Sequence, residues 1–208
     1  MSYLSRVHPG AARGRALDFG CGVGRLTQAL GDHYEEVEGI DIAPSMVSLA
    51  ARHNRHGERC RYRVNAASDL TVFASGTFDL VYSNIVLQHM EPRFSKPYIA
   101  EFVRLLRPGG VTIFQLPSRR TAEPRSGRSA GIRKRLSRAA PGPVLALYRS
   151  LRTRFDLIAG RASFDCYEVG RDEVLALLEA SGARVLDVVA DGSGGPAVEG
   201  FRYCALKP

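Results

Sequence analysis

The sequence lacks the features that mark several classes of protein. It contains no run of about 18 apolar residues, which predicts that no helix spans a membrane. Residues 1–12 contain no apolar core followed by a cleavage site, so we expect no secretory signal. The four cysteines are scattered without a C-x-x-C pair, a pattern that favours reduced thiols over a disulfide framework or a zinc site. These absences together predict a cytoplasmic protein.

What is present is an ordinary globular composition. Apolar residues make up 45% of the 208 residues and charged residues 24%, which suits one domain with a full core. No internal repeat is visible. We therefore expect a single domain over residues 1–208, with residues 1–14 as a short polar lead into the first strand.

A glycine-rich turn follows the first apolar segment. Residues 15–19 have the pattern of a short buried strand, glycines follow at Gly20, Gly22 and Gly24, and a helical pattern then begins. Strand, glycine turn and helix form the ligand-binding unit of a doubly wound α/β sheet. Nicotinamide and flavin sites favour G-x-G-x-x-G, but the third position here is Arg25. The alternative to a ligand site is a tight turn that binds nothing.

An acid ends the second predicted strand, which spans residues 37–42. This acid, Asp41, lies 17 residues after Gly24. In such sheets an acid near this distance accepts hydrogen bonds from both ribose hydroxyls of a nucleoside ligand. NAD sites use the same contact, so Asp41 indicates a nucleoside without naming it. The alternative is a surface aspartate that caps the next helix.

The remaining patterns alternate between strands and helices, which predicts the α/β class. After the second strand, helical patterns occur at 101–107 and 170–182, the first of them ended by Pro108-Gly-Gly. Further strands are predicted at residues 60–64, 77–84, 111–116, 183–190 and 201–206.

Three motifs together resemble those of the class I S-adenosylmethionine (SAM) dependent methyltransferases. They are Asp18-x-Gly-x-Gly-x-Gly, Phe78-Asp-Leu-Val and Leu106-Arg-Pro-Gly-Gly. The resemblance covers residues 15–117 and 165–208. It implies a Rossmann-like, doubly wound, mostly parallel seven-stranded sheet with an antiparallel last strand, and S-adenosyl-L-methionine as the cofactor.

The resemblance also implies roles for individual residues. The glycine turn would wrap the methionine part of SAM, and Asp18 would steady this turn and the amino group. Ile42 and Met46 would pack against the adenine, although Met46 could instead fill the core. Many relatives hold the adenine with an acid where this chain has Ala66, so backbone groups would replace it. The expected cofactor-binding residues are Asp18, Gly20, Cys21, Gly22, Gly24, Asp41, Ile42, Met46, Ala67, Ser68 and Ser83.

The segment after the fourth strand bears on metal binding and catalysis. Ubiquinone-type O-methyltransferases carry Glu-x-x-Glu-His here and bind a divalent metal, but this chain has Ile85 and Gln88 in place of the carboxylates. Hard cations need oxygen ligands, so we expect no metal. His89 remains as a candidate general base for a hydroxyl acceptor, because imidazole exchanges a proton near neutral pH. The alternative is a histidine that bonds locally, and Asp165 and Tyr167 are weaker candidates.

A basic insertion is predicted at about 118–163. Eleven of the 29 Lys and Arg residues lie between 118 and 154 with one acid, so the net charge of +8 is local. Residues 119–138 are of low complexity, whereas 144–155 have the spacing of an amphipathic helix that could form a lid. Three interpretations stay open: a solvated arm, a clamp for an anionic acceptor, and attachment to nucleic acid or a membrane surface. Residues 119–138 contain no aromatics, which argues mildly against single-stranded nucleic acid.

These patterns and the resemblance predict a methyltransferase that moves a methyl group from SAM to an oxygen or nitrogen of a small-molecule acceptor, with an anionic acceptor as one option. Two alternatives share the fold: a non-catalytic protein that binds SAM or a partner, and a nucleic-acid methyltransferase. A nicotinamide oxidoreductase is disfavoured by Arg25 and by the lack of an evident catalytic pair.

Overall fold

Seven strands form one sheet in the order β3-β2-β1-β4-β5-β7-β6. This computed structural model describes residues 2–120, 166–194 and 198–208. Strands β1 to β5 pair in parallel, whereas β7 is antiparallel to both of its neighbours, which confirms the predicted fold class. The strands are β1 (Arg15–Phe19), β2 (Glu36–Asp41), β3 (Cys60–Val64), β4 (Phe78–Ser83), β5 (Leu106–Arg120), β6 (Arg184–Ala190) and β7 (Val198–Leu206).

Helices cover both faces of the sheet because alternate residues of each strand point to opposite faces. In β1, the side chain of Leu17 lies in the hydrophobic core on one face of the sheet, and the side chain of Ala16 lies in the core on the other face. The helices of the described chain are α1 (Ser2–Val7), α2 (Arg25–Gly31), α3 (Pro44–Arg52), α4 (Pro92–Leu105) and α5 (Arg171–Ala180). Helices α4 and α5 bury Ile99, Phe102, Val174 and Leu178 on the first face, and α1 and α2 bury Leu4 and Leu30 on the second.

The N-terminal segment is a helix, so the prediction of a polar lead was wrong. Leu4 of α1 is buried against Leu30 and the second face of the sheet. The hydroxyl of Tyr3 donates a hydrogen bond of 3.0 Å to Asp187 of β6. Tyr3, Leu4 and Val7 have helical spacing, but a helix of 6 residues is too short for this periodicity to be recognised in the sequence.

Strand β5 is longer than predicted at both ends. Helix α4 ends at Leu105 rather than at Arg107, because Leu106 already pairs with Phe78 of β4. At the other end, pairing with β7 continues to Arg120, so the first residues of the predicted basic insertion belong to the sheet. The remainder of that insertion, with the expected amphipathic helix at 144–155 and with Asp165, lies outside the described residues.

No helix in the described parts of the chain is long and apolar enough to cross a membrane. The described cysteines form no disulfide, and Cys21, Cys60 and Cys204 are buried.

Candidate functional site

The glycine turn between β1 and α2 is fastened to the end of β2. The backbone N–H groups of Gly20 and Cys21 both donate to the carbonyl oxygen of Ile40, at 2.8 and 2.9 Å. Gly20 has a φ of +76°, and a Cβ at this position would lie 2.3 Å from a methyl carbon of Val86. Gly24 is equally restricted, since a Cβ there would lie 2.7 Å from the hydroxyl of Tyr62. The turn therefore requires glycine for close packing as well as for its backbone angles.

Asp41 holds the middle of this turn from the end of β2. One carboxylate oxygen accepts a hydrogen bond of 2.9 Å from the N–H of Gly22, and the other accepts one of 2.9 Å from the N–H of Ala43. Ala43 directly precedes α3, so the expected turn-capping role and a ligand-binding role are compatible in one residue. Each carboxylate oxygen keeps further acceptor capacity, which two hydroxyl groups could use.

Asp18 is buried on the α2 face of β1. Its carboxylate accepts a hydrogen bond of 2.6 Å from the hydroxyl of Thr27, which ties the first turn of α2 to the strand. Burial raises the pKa of Asp18 from 3.8 to about 6, against the opposing effect of the Thr27 bonds. Burial likewise raises the pKa of the Cys21 thiol to about 12, so this thiol stays neutral, and its contact with the cofactor stays a prediction. The contact of Asp18 with a ligand amino group stays a prediction.

A cleft with a volume of about 100 Å³, here named the Asp41 cleft, opens beside Asp41. It lies at the carboxyl ends of β1 and β2, where a doubly wound sheet binds its ligand. Ile42 is 72% exposed and Met46 is 38% exposed beside it, which leaves apolar surface that a flat ring could cover. The cleft is lined by Phe19, Gly20, Ile40, Asp41, Ile42, Asn65, Ala67, Val86, Met90 and Tyr98.

The turn after β3 is held in place by side chains of α4 that the sequence did not reveal. The hydroxyl of Tyr98 donates to the carbonyl oxygen of Ala67 at 2.9 Å, and Glu101 accepts from the N–H of Leu70 at 3.0 Å. Arg104 donates to the carbonyl of Leu70 at 3.0 Å, and its hydrogen bond to Glu101 lowers the pKa of that carboxyl. Ala67 thus lines the cleft in a fixed position, and both Ala67 and Ser68 are exposed on this turn.

The segment after β4 combines a strained residue with the candidate base. Ile85 has a φ of +58°, a left-handed conformation that is costly for a β-branched side chain. A short 3₁₀ turn, Leu87–His89, follows, and Val86 and Met90 on its two sides line the Asp41 cleft. His89 is exposed, with its Nε2 at 3.4 Å from the side-chain nitrogen of Gln88. Its role as a base stays a prediction.

Ser83 is placed differently from the other candidates. It is buried at the end of β4, and its hydroxyl donates a hydrogen bond of 3.1 Å to the carbonyl oxygen of Phe19. This bond fastens β4 to β1 directly beneath the glycine turn. The geometry gives Ser83 a part in shaping the site, and a direct contact with a cofactor stays a prediction.

The described residues contain no group of three or more His, Cys, Asp and Glu side chains that could hold a metal ion. The two positions at which ubiquinone-type relatives carry carboxylates are Ile85, which is 40% exposed, and Gln88, which is buried. Neither position supplies a carboxylate for a hard cation.

Two further clefts lie outside this arrangement. One, of about 470 Å³, is a wide opening between α2 and the segment after α3, where Gln28 accepts hydrogen bonds from Arg55. The other, of about 280 Å³, lies on the face of the sheet that α1 and α2 cover, and includes Tyr82 and Arg202. We name this second one the Arg202 cleft.

Known proteins share both the sequence motifs and this architecture. Residues 17–114 match the methyltransferase domain family. The chain is 35% identical over 112 residues to a ubiquinone biosynthesis O-methyltransferase of Xanthomonas axonopodis pv. citri. That alignment covers 53% of this chain and 45% of the relative, so the chain spans less than half of the relative's length.

Solved structures show the same fold. A SAM-dependent methyltransferase from Methanosarcina mazei superposes with a TM-score of 0.64 at 22% identity, covering 94% of this chain and 92% of that one. The [4+2]-cyclase SpnF superposes with a TM-score of 0.65 at 16% identity, covering 100% and 80%. The glycine turn, the acid that ends β2, the strand order and the matched domain all agree with the class I SAM-dependent methyltransferase family.

Proposed function

We propose that this chain is an enzyme that transfers a methyl group from S-adenosyl-L-methionine to a small molecule. The observation that carries the proposal is the Asp41 carboxylate, which the N–H groups of Gly22 and Ala43 hold at the end of β2, beside a glycine turn locked to the same strand. The cleft next to it offers acceptors for two ribose hydroxyls and apolar surface for an adenine ring.

The residues divide the work of binding in a consistent way. Asp41 would accept the hydroxyls of the ribose, Ile42 and Met46 would cover the adenine, and Ala67 would border its edge. The N–H groups of the glycine turn would face the methionine part. Bound SAM supplies an activated methyl group, so the chain itself contributes alignment and the exclusion of water.

The acceptor atom is proposed to be an oxygen or a nitrogen. Oxygen is supported by the relative from Xanthomonas, which is named an O-methyltransferase. If the atom is a hydroxyl oxygen, His89 would take up its proton, since it lies on the turn that borders the cleft. Because the alignment covers less than half of that relative, its own acceptor does not transfer to this chain.

The single domain with a basic insertion at about 118–163, and its cytoplasmic location, belong to the same proposal. They rest on the sequence patterns given above. An anionic group on the acceptor is supported by the basic character of that insertion. The lack of aromatic residues in 119–138 favours a small-molecule acceptor over single-stranded nucleic acid.

A binding test and a mass measurement check the proposed function. Calorimetric titration with S-adenosylhomocysteine should show micromolar affinity, and incubation with methyl-labelled SAM and a cell extract should give a product heavier by one methyl group. The same fold occurs in a cyclase, so fold alone does not assign a reaction. Binding of S-adenosylhomocysteine without any labelled product would favour a non-catalytic SAM-binding protein, and absence of binding would refute the proposed function and favour a protein that binds a partner.

A further inference from the structure

Asn65 is the first residue of the turn that follows β3, and it lines the Asp41 cleft. Its backbone N–H donates a hydrogen bond of 3.0 Å to the carbonyl oxygen of Asp41, so it lies directly beside the acid that ends β2. The residue is partly exposed, which leaves it within reach of a molecule in the cleft. Asn65 therefore belongs to the wall of the proposed cofactor site.

The side-chain amide of Asn65 has a defined orientation. Its Nδ2 donates a hydrogen bond of 2.9 Å to the carbonyl oxygen of Asp69 across the turn. The opposite orientation would bring two oxygens together, because a carbonyl group can only accept. The Oδ1 atom is thus fixed on the other side of the amide, and it accepts no hydrogen bond from any residue that the structure describes. It is an accessible acceptor, since it is not one of the buried atoms that lack a partner.

The other polar side chains of the cleft are already assigned. Among its lining residues, only Asp41, Asn65 and Tyr98 have side chains with nitrogen or oxygen atoms. Asp41 faces the ribose in the proposed function, and the hydroxyl of Tyr98 donates to the carbonyl oxygen of Ala67. The acid with which many relatives hold the adenine is replaced by Ala66. The Oδ1 of Asn65 is therefore the side-chain acceptor that remains for the base.

The chemistry of adenine matches a single acceptor. In a nucleoside, adenine has one hydrogen-bond donor, the amino group at C6, whereas its ring nitrogens only accept. An acceptor that faces the edge of the ring can therefore pair with this amino group and with no other group of the base. A fixed polar atom that loses water without gaining a partner costs free energy, so such a site disfavours a base without the amino group.

We propose that Asn65 makes this chain specific for adenine, because its Oδ1 accepts a hydrogen bond from the C6 amino group of the cofactor. The Nδ2 of the same amide holds it in place through the carbonyl oxygen of Asp69. The task of the acid that position 66 lacks thus falls to the preceding residue. The inference rests on the cofactor of the proposed function, but its test requires binding only and no methyl transfer.

Calorimetric titration of the wild-type chain with two ligands tests this role first. One ligand is S-adenosylhomocysteine, and the other is its deamino analogue, in which hydrogen replaces the C6 amino group and the rest of the molecule is unchanged. The wild-type chain should bind S-adenosylhomocysteine about 5-fold more tightly than the deamino analogue, as expected for one hydrogen bond.

Two variants separate the acceptor from the support of the turn. Asn65→Ala and Asn65→Asp both lack the Nδ2 that donates to Asp69, but Asn65→Asp keeps an acceptor oxygen. We expect Asn65→Ala to bind the two ligands with nearly equal affinity. Asn65→Asp should still prefer S-adenosylhomocysteine by about 5-fold, even where the loosened turn weakens the binding of both ligands. A purely structural role of Nδ2 would instead weaken both ligands equally in both variants and leave the preference unchanged.

Asn54→Ala is the matched control for the loss of an amide that fastens a turn. The Nδ2 of Asn54 donates to the carbonyl oxygens of Gly57 and Cys60, each at 2.8 Å, and Asn54 does not line the Asp41 cleft. This variant should keep the wild-type preference for S-adenosylhomocysteine over the deamino analogue.

Three outcomes would overturn the inference: equal affinity of the wild-type chain for the two ligands, an unchanged preference in Asn65→Ala, or a preference lost as fully in Asn65→Asp as in Asn65→Ala. The first is measured on the wild type and does not depend on the folding of a variant. Selective binding of S-adenosylhomocysteine without a labelled methylated product would refute the proposed function and leave the role of Asn65 standing. Methyl transfer from labelled SAM together with equal affinity for the two ligands would refute the role of Asn65 alone.

Discussion

The Asp41 cleft and the Arg202 cleft differ in how their polar groups are satisfied. Around Asp41, the N–H groups of Gly20 and Gly22 have partners within the protein before any ligand arrives. Around Arg202, the side-chain amide of Gln115 and the Nε of the arginine have no hydrogen-bond partner among the described residues. A region whose polar groups already have hydrogen-bond partners within the protein is preorganised and rigid, which lowers the entropic cost of binding. Unsatisfied buried polar groups instead cost stability in the folded chain, because they have lost their hydrogen bonds to water.

The largest effect is expected from Gly20→Ala, in the glycine turn beside Asp41. The new methyl group would meet Val86 at 2.3 Å at a φ of +76°, so overpacking and backbone strain should together lower the free energy of unfolding by about 3 kcal/mol. Urea denaturation measures this change. Gly22→Ala is the control, since its φ is +53° but nothing lies within 4 Å of the added Cβ. It should cost only about 1 kcal/mol, and equal costs for the two variants would show that Val86 moves freely.

Asp41→Ala should weaken the binding of S-adenosylhomocysteine by about 1.5–3 kcal/mol, because two ribose hydroxyls and the N–H of Gly22 lose a charged acceptor. Calorimetry measures the affinity. Asp32→Asn is the matched control, because Asp32 is an exposed carboxylate at the other end of α2. Unchanged affinity in Asp41→Ala would show that the Asp41 carboxylate does not bind the ribose.

The buried Asp18 should make stability depend on pH. Its folded-state pKa of about 6 exceeds the ordinary value of 3.8, so the proton binds more tightly to the folded chain. The stabilisation is therefore full below about pH 3.8 and is lost as the pH rises to about 6, with a slope of roughly 1 kcal/mol per pH unit. Urea denaturation of the wild type and of Asp18→Asn between pH 4 and 7 isolates this contribution. A difference between the two that does not change with pH would contradict the raised pKa.

Tyr98→Phe should lower the affinity for S-adenosylhomocysteine by about 1 kcal/mol, since it frees the turn at Ala67 from its hydroxyl donor. Tyr34→Phe serves as the control, because the buried hydroxyl of Tyr34 has no partner. It should leave the affinity within a few tenths of a kcal/mol of the wild type and leave the stability equal or slightly higher, because an unsatisfied buried hydroxyl is removed. An effect of Tyr34→Phe as large as that of Tyr98→Phe would mean that the hydrogen bond to Ala67 is not what matters.

The smallest effect is expected from removal of metal ions. Ile85 and Gln88 occupy the positions of the metal-binding carboxylates in ubiquinone-type relatives, so methyl transfer should persist in EDTA. The initial rate with labelled SAM, with and without EDTA, checks this. Loss of activity that magnesium restores would show that the segment after β4 binds a cation through other ligands.

Local spacing in the sequence was sufficient to predict the glycine turn and the position of Asp41 at the end of a strand. The glycine turn follows directly from the first strand, and Asp41 ends the next strand, so both depend on order along the chain. The strand order and the antiparallel last strand followed from the resemblance that these motifs carry. Ser83 was correctly placed at the end of β4, but its hydrogen bond to Phe19 depends on how two strands meet.

The pairing of Gln115 with Arg202 could not be predicted, because it depends on the register between β5 and β7, which lie far apart in the sequence. Gln115 is a polar residue between the buried Phe114 and Leu116 of β5, and nothing near it in sequence indicates that Arg202 lies opposite. The β5–β7 register fixes that pairing over 87 residues. Tyr98 likewise reaches Ala67 only because α4 packs beneath the turn after β3. The short helix α1 was not predicted, because 6 residues are too few to show the helical spacing of apolar residues.

The strand order also constrains when the Arg202 cleft can form during synthesis. Strand β6 precedes β7 along the chain but forms the edge of the sheet, where β7 is its neighbour. Strand β6 therefore has no partner until residues 198–206 have left the ribosome. The β1–β4 half can pair earlier, since its strands are complete by residue 83. Strands that wait for a late partner expose unpaired edges to other chains. The nascent chain therefore assembles its Asp41 side first and closes its Arg202 side last.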